Sequence, residues 1–177
     1  MRLDNVDGFS FDFTDAIDAF VFDEKDRTKA TYHGQPMKAV DVVVELADAY
    51  LFIEIKDFHD PNLYDSTSYV DDEERRKKHD GFKWLKNYLK YKYRDSFLFR
   101  YAERKVDKPI HYICLLTFDN ALNTRMHKAL KKELPVGRAS QRWRREFVKS
   151  CQVVNVAKWN ENFPQWPVSQ MPPPGRT

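Results

Sequence analysis

Between Met37 and Asp57 the chain reads MKAVDVVVELADAYLFIEIKD, two β-branched runs separated by a short break. Runs of this composition joined by so short a turn form a β-hairpin. With side chains alternating at period two, residues 40, 42, 44 and 51, 53, 55 make one face of Val, Leu and Ile only. The other face carries Asp41, Val43 and Glu45 on the first strand and Phe52, Glu54 and Lys56 on the second. One face must be covered by other parts of the chain, while the other gathers acids and a lysine. A two-residue turn at Ala47-Asp48 puts Asp41 opposite Glu54. A four-residue turn puts Asp41 opposite Lys56, with Glu54 on the diagonal. Either register keeps all three on one face, with opposed Cβ atoms about 5 Å apart.

The flanking segments supply the cover. Phe9, Phe11 and Phe13 alternate with polar residues, after which Thr14 caps a short expected helix with Phe13, Ile17 and Phe20 as its apolar stripe. Thr28 to His33 has the length of a first strand ahead of the Gly34-Gln35-Pro36 break. Beyond the hairpin, Asp57 to Tyr69 reads as loop. Asp71 to Glu74 place acids where a helix begins, and Phe82, Leu85 and Leu89 extend one face to about Tyr93, with Gly81 a weak point. Pro109 to Phe118 is nearly continuous in apolar residues, the pattern of a strand buried on both faces. Asp119-Asn120 cap a helix through Leu122, Met126 and Leu130. Ser140 starts another with Trp143 and Phe147 on its inner side, and Cys151 to Val156 is a last strand. The expectation is one α/β domain over residues 1–160, with 161–177 an extended Pro-rich tail.

Charge is distributed unevenly. Residues 1–74 hold 19 Asp and Glu against 6 Lys and Arg, and residues 75–149 hold 7 against 22. An acidic half before a basic one suggests a cation site in the first and a polyanion surface in the second, unless the halves neutralise each other across the fold. No apolar run is long enough for a bilayer and the first residues lack a secretory signal, so a cytoplasmic protein without membrane contact is expected. A disulfide between Cys114 and Cys151 stays open, but two buried reduced thiols are favoured. No Cys/His spacing suggests zinc.

Two carboxylates held as close as Asp41 and Glu54 repel unless a cation lies between them. Mg²⁺ or Mn²⁺ bound to oxygen, with a lysine beside it to polarise a water, is sufficient equipment for phosphodiester hydrolysis. Asp41, a gap of strand length, then Glu54-Ile55-Lys56 resembles the PD-(D/E)XK, or restriction-endonuclease-like, nuclease superfamily. The resemblance spans roughly residues 13–118. It implies a mixed central β-sheet in α-β-β-β-α-β order flanked by helices, with Mg²⁺ bound by Asp41, Glu54 and the carbonyl of Ile55. It also implies Lys56 as water activator and Asp18, or failing that Asp15, as the first-helix acid. Val40 stands where the family often has proline, and no Gln-x-x-x-Tyr follows the hairpin, so the RecB-like branch is not indicated.

Other candidates are weaker. The run Lys83-Trp84-Leu85-Lys86-Asn87-Tyr88-Leu89-Lys90-Tyr91-Lys92-Tyr93-Arg94 interleaves bases with aromatics, as phosphate contact and base stacking require, although an amphipathic helix with core aromatics and solvated lysines gives the same pattern and is the favoured account of Trp84 and Tyr88 taken singly. Lys83, Lys86, Arg142 and Arg145 are the candidate phosphate contacts. His59, Asp60 and Asn62 lack the second histidine of an HNH site, and His79, His111 and His127 have no convergent partners. The five glycines form no phosphate loop. The expected function is a Mg²⁺-dependent nuclease, with DNA favoured and a homodimer compatible with it. The alternatives are a nuclease-fold binding module without turnover and an interaction protein with no nucleic-acid role.

Overall fold

The computed structural model describes residues 1–58, 64–65, 70–138 and 140–171. In chain order its elements are β1 (Arg2–Val6), β2 (Phe9–Asp12), β3 (Asp18–Val21), β4 (Val42–Glu45), β5 (Tyr50–Lys56), α1 (Asp72–Ala102), β6 (Ile110–Leu116), α2 (Asn120–Glu133), β7 (Ser150–Val154), α3 (Val156–Asn162) and β8 (Val168–Gln170). The hairpin forms as its β-branched runs require. Val42 pairs with Ile53 and Glu45 with Tyr50, and the Leu46 N–H donates to the Ala49 carbonyl at 2.9 Å. The turn is therefore Ala47-Asp48, and the same register sets Asp41 level with Glu54.

Five strands form a mixed sheet in the order β3-β4-β5-β6-β7. The first three are antiparallel neighbours, while β5, β6 and β7 run parallel. Parallel neighbours need long crossovers, and α1 and α2 provide them. Both helices pack on one face, where Phe82, Leu85, Leu89, Tyr93, Leu122, Met126 and Leu130 meet Val43, Phe52, Tyr112 and Cys114. The opposite face, with Val42, Val44, Leu51, Ile53 and Ile55, is covered by α3 and a small antiparallel sheet ordered β1-β2-β8. The acidic face of the hairpin is thus not solvent-facing: it lies under α1. Cys114 and Cys151 are buried free thiols, and burial pushes the Cys151 thiol up to about 12.

Local chemistry explains the helix boundaries. The Asp71 carboxylate accepts from the Glu74 N–H at 2.8 Å and Glu74 in turn accepts from the Val70 N–H at 2.7 Å, a reciprocal cap before three acids in the first turn. The helix continues through Gly81 to Ala102, well past the expected end near Tyr93, because its apolar stripe stays seated on the sheet. Asp119 caps α2 by accepting from the Leu122 N–H at 2.8 Å.

Four expectations need correction. The segment expected as a helix near residue 17 is a turn followed by β3, and Ile17, placed on its buried stripe, is 59% exposed. Thr28 to His33 forms turns and one isolated bridge rather than a strand. No helix follows Ser140, and Phe147 packs instead on Tyr93 and Phe97. The stretch expected as a tail is integral as far as Met171. Asn155 caps α3, the buried Trp159 donates from Nε1 to the Trp166 carbonyl at 2.6 Å, and β8 pairs with β2. Phe163 stacks on Trp166, whose indole N–H donates to Asp15 at 2.5 Å. Residues 172–177 lie outside the described residues. We predict that Trp166→Ala lowers stability by about 3 kcal/mol in urea unfolding; a change within about 0.5 kcal/mol would show that this clasp is peripheral.

Candidate active site

Asp41, Glu54 and Lys56 meet at the carboxyl end of β5, where open α/β sheets bind ligands. The approach to Asp41 is pinned by α1. The Lys38 N–H donates to Asp95 at 3.0 Å, and the Val40 N–H donates to the Ser96 hydroxyl at 2.8 Å. Asp41 itself is anchored twice, through its carbonyl to the Phe22 N–H at 2.8 Å and through Oδ2 to the Ile55 N–H at 2.6 Å. Oδ1 is left to face Glu54 and α1.

The centre of the cluster is a lysine of the basic, aromatic run on α1, expected in solvent and found buried among the acids. Lys92, from the middle of α1, places Nζ 3.3 Å from Asp41 Oδ1, 3.2 Å from Glu54 Oε2 and 3.5 Å from Asp23 Oδ2. Lys56 reaches Glu54 Oε1 at 3.8 Å from the rim, its side chain 31% exposed where that of Glu54 is wholly buried. The contact of Lys92 with Glu54 Oε2 is close but poorly directed, and no other described group donates a hydrogen bond to either Glu54 oxygen. Burial, reinforced by the charge of Asp41, holds the Glu54 carboxyl well above its usual range, against the pull of Lys92 and Lys56. Burial also raises Asp41, opposed by Lys92 and the Ile55 N–H. For both lysines burial lowers the pKa, but Glu54 and Asp41 outweigh it and the net shift is upward.

The other candidate residues separate from this cluster. Asp18 starts β3 opposite Glu45, about 13 Å of strand from the end where Phe22 meets Asp41. The acid beyond β3 that does reach the cluster is Asp23, through Lys92, while Asp15 is bound to Trp166. Lys86 is paired with Glu133 at 2.6 Å, joining α1 to α2. Arg145 donates to the Lys108 carbonyl at 3.1 Å, near the amino end of β6 and away from the acids. Lys83 and Arg142 are exposed. His59, Asp60 and Asn62 lie outside the described residues. A cavity of about 650 Å³ lies at the hairpin turn, lined by Asp48, His111, Ser150 and Trp166 among others, and none of the three acids borders it. Among the described residues no group of three or more His, Cys, Asp and Glu side chains forms a metal cage by itself, and no helix is long and apolar enough to cross a membrane.

Lys92 had one legible signal. It falls on the stripe Leu85, Leu89 and Ser96, all buried, where an amphipathic helix should be apolar. Asp23 had none. No protein-family model, curated protein or solved structure matches the chain.

Two measurements follow from this electrostatic arrangement. Lys92→Met leaves buried carboxylates without their cation and should lower stability by about 3 kcal/mol at neutral pH; an unchanged urea midpoint would show that the ammonium is not holding the cluster. Because the folded-state pKa of Glu54 lies above its ordinary 4.5, the folded protein keeps a proton that the unfolded chain releases. Its contribution to stability therefore falls as pH rises through that window. Glu54→Gln removes this dependence, so its stability relative to wild type should rise as pH increases above 4.5, by at most roughly 1.4 kcal/mol per pH unit. Parallel stability–pH curves would contradict it.

Proposed function

We propose that the chain is a Mg²⁺- or Mn²⁺-dependent phosphodiesterase acting on nucleic acid, with DNA favoured, built as a restriction-endonuclease-like PD-(D/E)XK domain. The observation that carries this reading is Glu54, wholly buried, with no directed hydrogen bond to either oxygen, sharing one cation with Asp41 while Lys56 stands half-exposed beside it. Buried ion pairs that serve stability alone are completed by hydrogen bonds. Here the oxygens are left open to charge.

The donor chemistry fits a hard divalent cation. Asp41, Glu54 and the Ile55 carbonyl would hold it, with water and phosphate oxygens completing the shell, since Mg²⁺ commonly takes only one or two carboxylates from a protein. When bound, the ion supplies positive charge to a phosphoryl oxygen and acidity to a water. The protein's own groups do the positioning. The Ile55 N–H fixes Asp41 so that one oxygen faces the site. Lys56, kept charged by the acids beside it, orients the attacking water and balances charge on the phosphate from the solvent side. Lys92 neutralises the acids, and a divalent cation held by Asp41 and Glu54 would compete with its ammonium for them.

The same lysine favours a second reading. An ammonium already among three carboxylates suits a nuclease-fold binding module without turnover. Cleavage of mixed DNA and RNA substrates with Mg²⁺ or Mn²⁺ tests the choice. The enzyme reading expects Lys56→Ala and Asp41→Ala each to reduce the rate by about 100-fold or more. Activity untouched by both substitutions excludes this site, and salt-sensitive binding without any cleavage by wild type supports the module.

A further inference from the structure

Trp84, Tyr88 and Tyr91 stand at i, i+4 and i+7 on α1 and so share one helical face. Trp84 is 56% exposed and Tyr91 45%, so the expectation that Trp84 is a core residue fails, while Tyr88 is half-buried. The Trp84 ring stacks on Tyr88 with centroids 5.2 Å apart and planes at 21°. Tyr88, half-buried, is ringed by ammonium groups: Lys38 Nζ at 4.3 Å from its centroid, with Lys56 and Lys92 Nζ both at 5.5 Å. Lys90 and Arg94 flank Tyr91 at 5.2 and 5.8 Å. The aromatic stack therefore begins in solvent and ends against the lysines of the acidic cluster.

We propose that Trp84 and Tyr88 form a stacking platform for an unpaired nucleotide, with Lys38 and Lys56 taking the adjoining phosphates, so that the substrate is single-stranded nucleic acid or a single-stranded portion of a larger one. This rests on the phosphodiesterase reading of the neighbouring cluster and narrows it. Any base offers a π-face, and aromatic rings edged by cations bind base and phosphate together. In a duplex both faces of an internal base are already stacked, so Trp84 has nothing to receive. A protein-docking patch would surround its aromatics with apolar side chains. This one is edged by Lys38, Lys56 and Arg94, which matches a polyanion.

Fluorescence anisotropy with labelled DNA and RNA single strands and the matching blunt duplex, in EDTA, tests this apart from any cleavage. Single strands should bind about tenfold more tightly than duplex, and Trp84→Ala should weaken single-strand binding about tenfold while barely changing duplex binding. Trp84→Phe should retain most of the affinity, and the DNA and RNA arms show which sugar the platform accepts. Duplex binding as tight as single-strand binding, or single-strand binding indifferent to Trp84→Ala, overturns the platform. Parallel cleavage assays separate the two readings. Lys56-dependent cleavage with Trp84 indifferent rejects the platform alone, while Trp84-dependent single-strand binding without cleavage upholds the platform and rejects turnover.

Discussion

The carboxyl end of the central hairpin depends on one ammonium. Asp41, just before β4, and Glu54, on the neighbouring β5, have side chains 9% and 0% exposed, and without a cation two such carboxylates cannot both stay ionised there. Lys92 supplies that charge from α1 and reaches Asp23, just beyond β3, as well. A single side chain thereby ties the long helix to the β4–β5 hairpin and to the exit of the edge strand. An arrangement built only for stability would more economically be apolar, because desolvating an ammonium and the acids around it offsets most of what their attraction returns. Keeping the charges, and leaving Glu54 without directed hydrogen bonds, makes sense where they meet a charged ligand.

The helix α1 serves both sides of this arrangement. Its inner stripe closes the parallel crossover between β5 and β6, and Asp95 and Ser96 hold the segment that aims Asp41. Its outer stripe carries the Trp84–Tyr88 stack up to the same lysines. Beside it, β8 contacts the chain just past Lys56, where Gln170 donates to Asp57 at 3.3 Å. The C-terminal segment therefore buttresses the loop that follows β5.

The hairpin, the caps at Asp71 and Asp119 and the doubly buried β6 were legible because each is written in local periodicity and capping chemistry, while the choice between a two- and a four-residue turn was settled only by the pairing. Asp41, Glu54 and Lys56 could be grouped for the same reason. What escaped is nonlocal. The spacing of Phe13, Ile17 and Phe20 suits a helix, but the open edge of β4 takes up residues 18–21 as β3. The last strand pairs with β2 across nearly the whole chain, held by indole N–H bonds that leave no periodic trace. Lys92 is one of several lysines in its helix, and only its place beside Leu89 and Ser96 sets it apart.

The central claim is that the acids gathered by Lys92 receive a divalent cation. Crystals of the protein soaked in Mn²⁺ and measured at the manganese absorption edge test it most directly. An anomalous peak bound by Asp41 and Glu54, with Lys92 Nζ displaced from between them, is the predicted result. Lys92 left in place with no peak at the cluster would contradict the account.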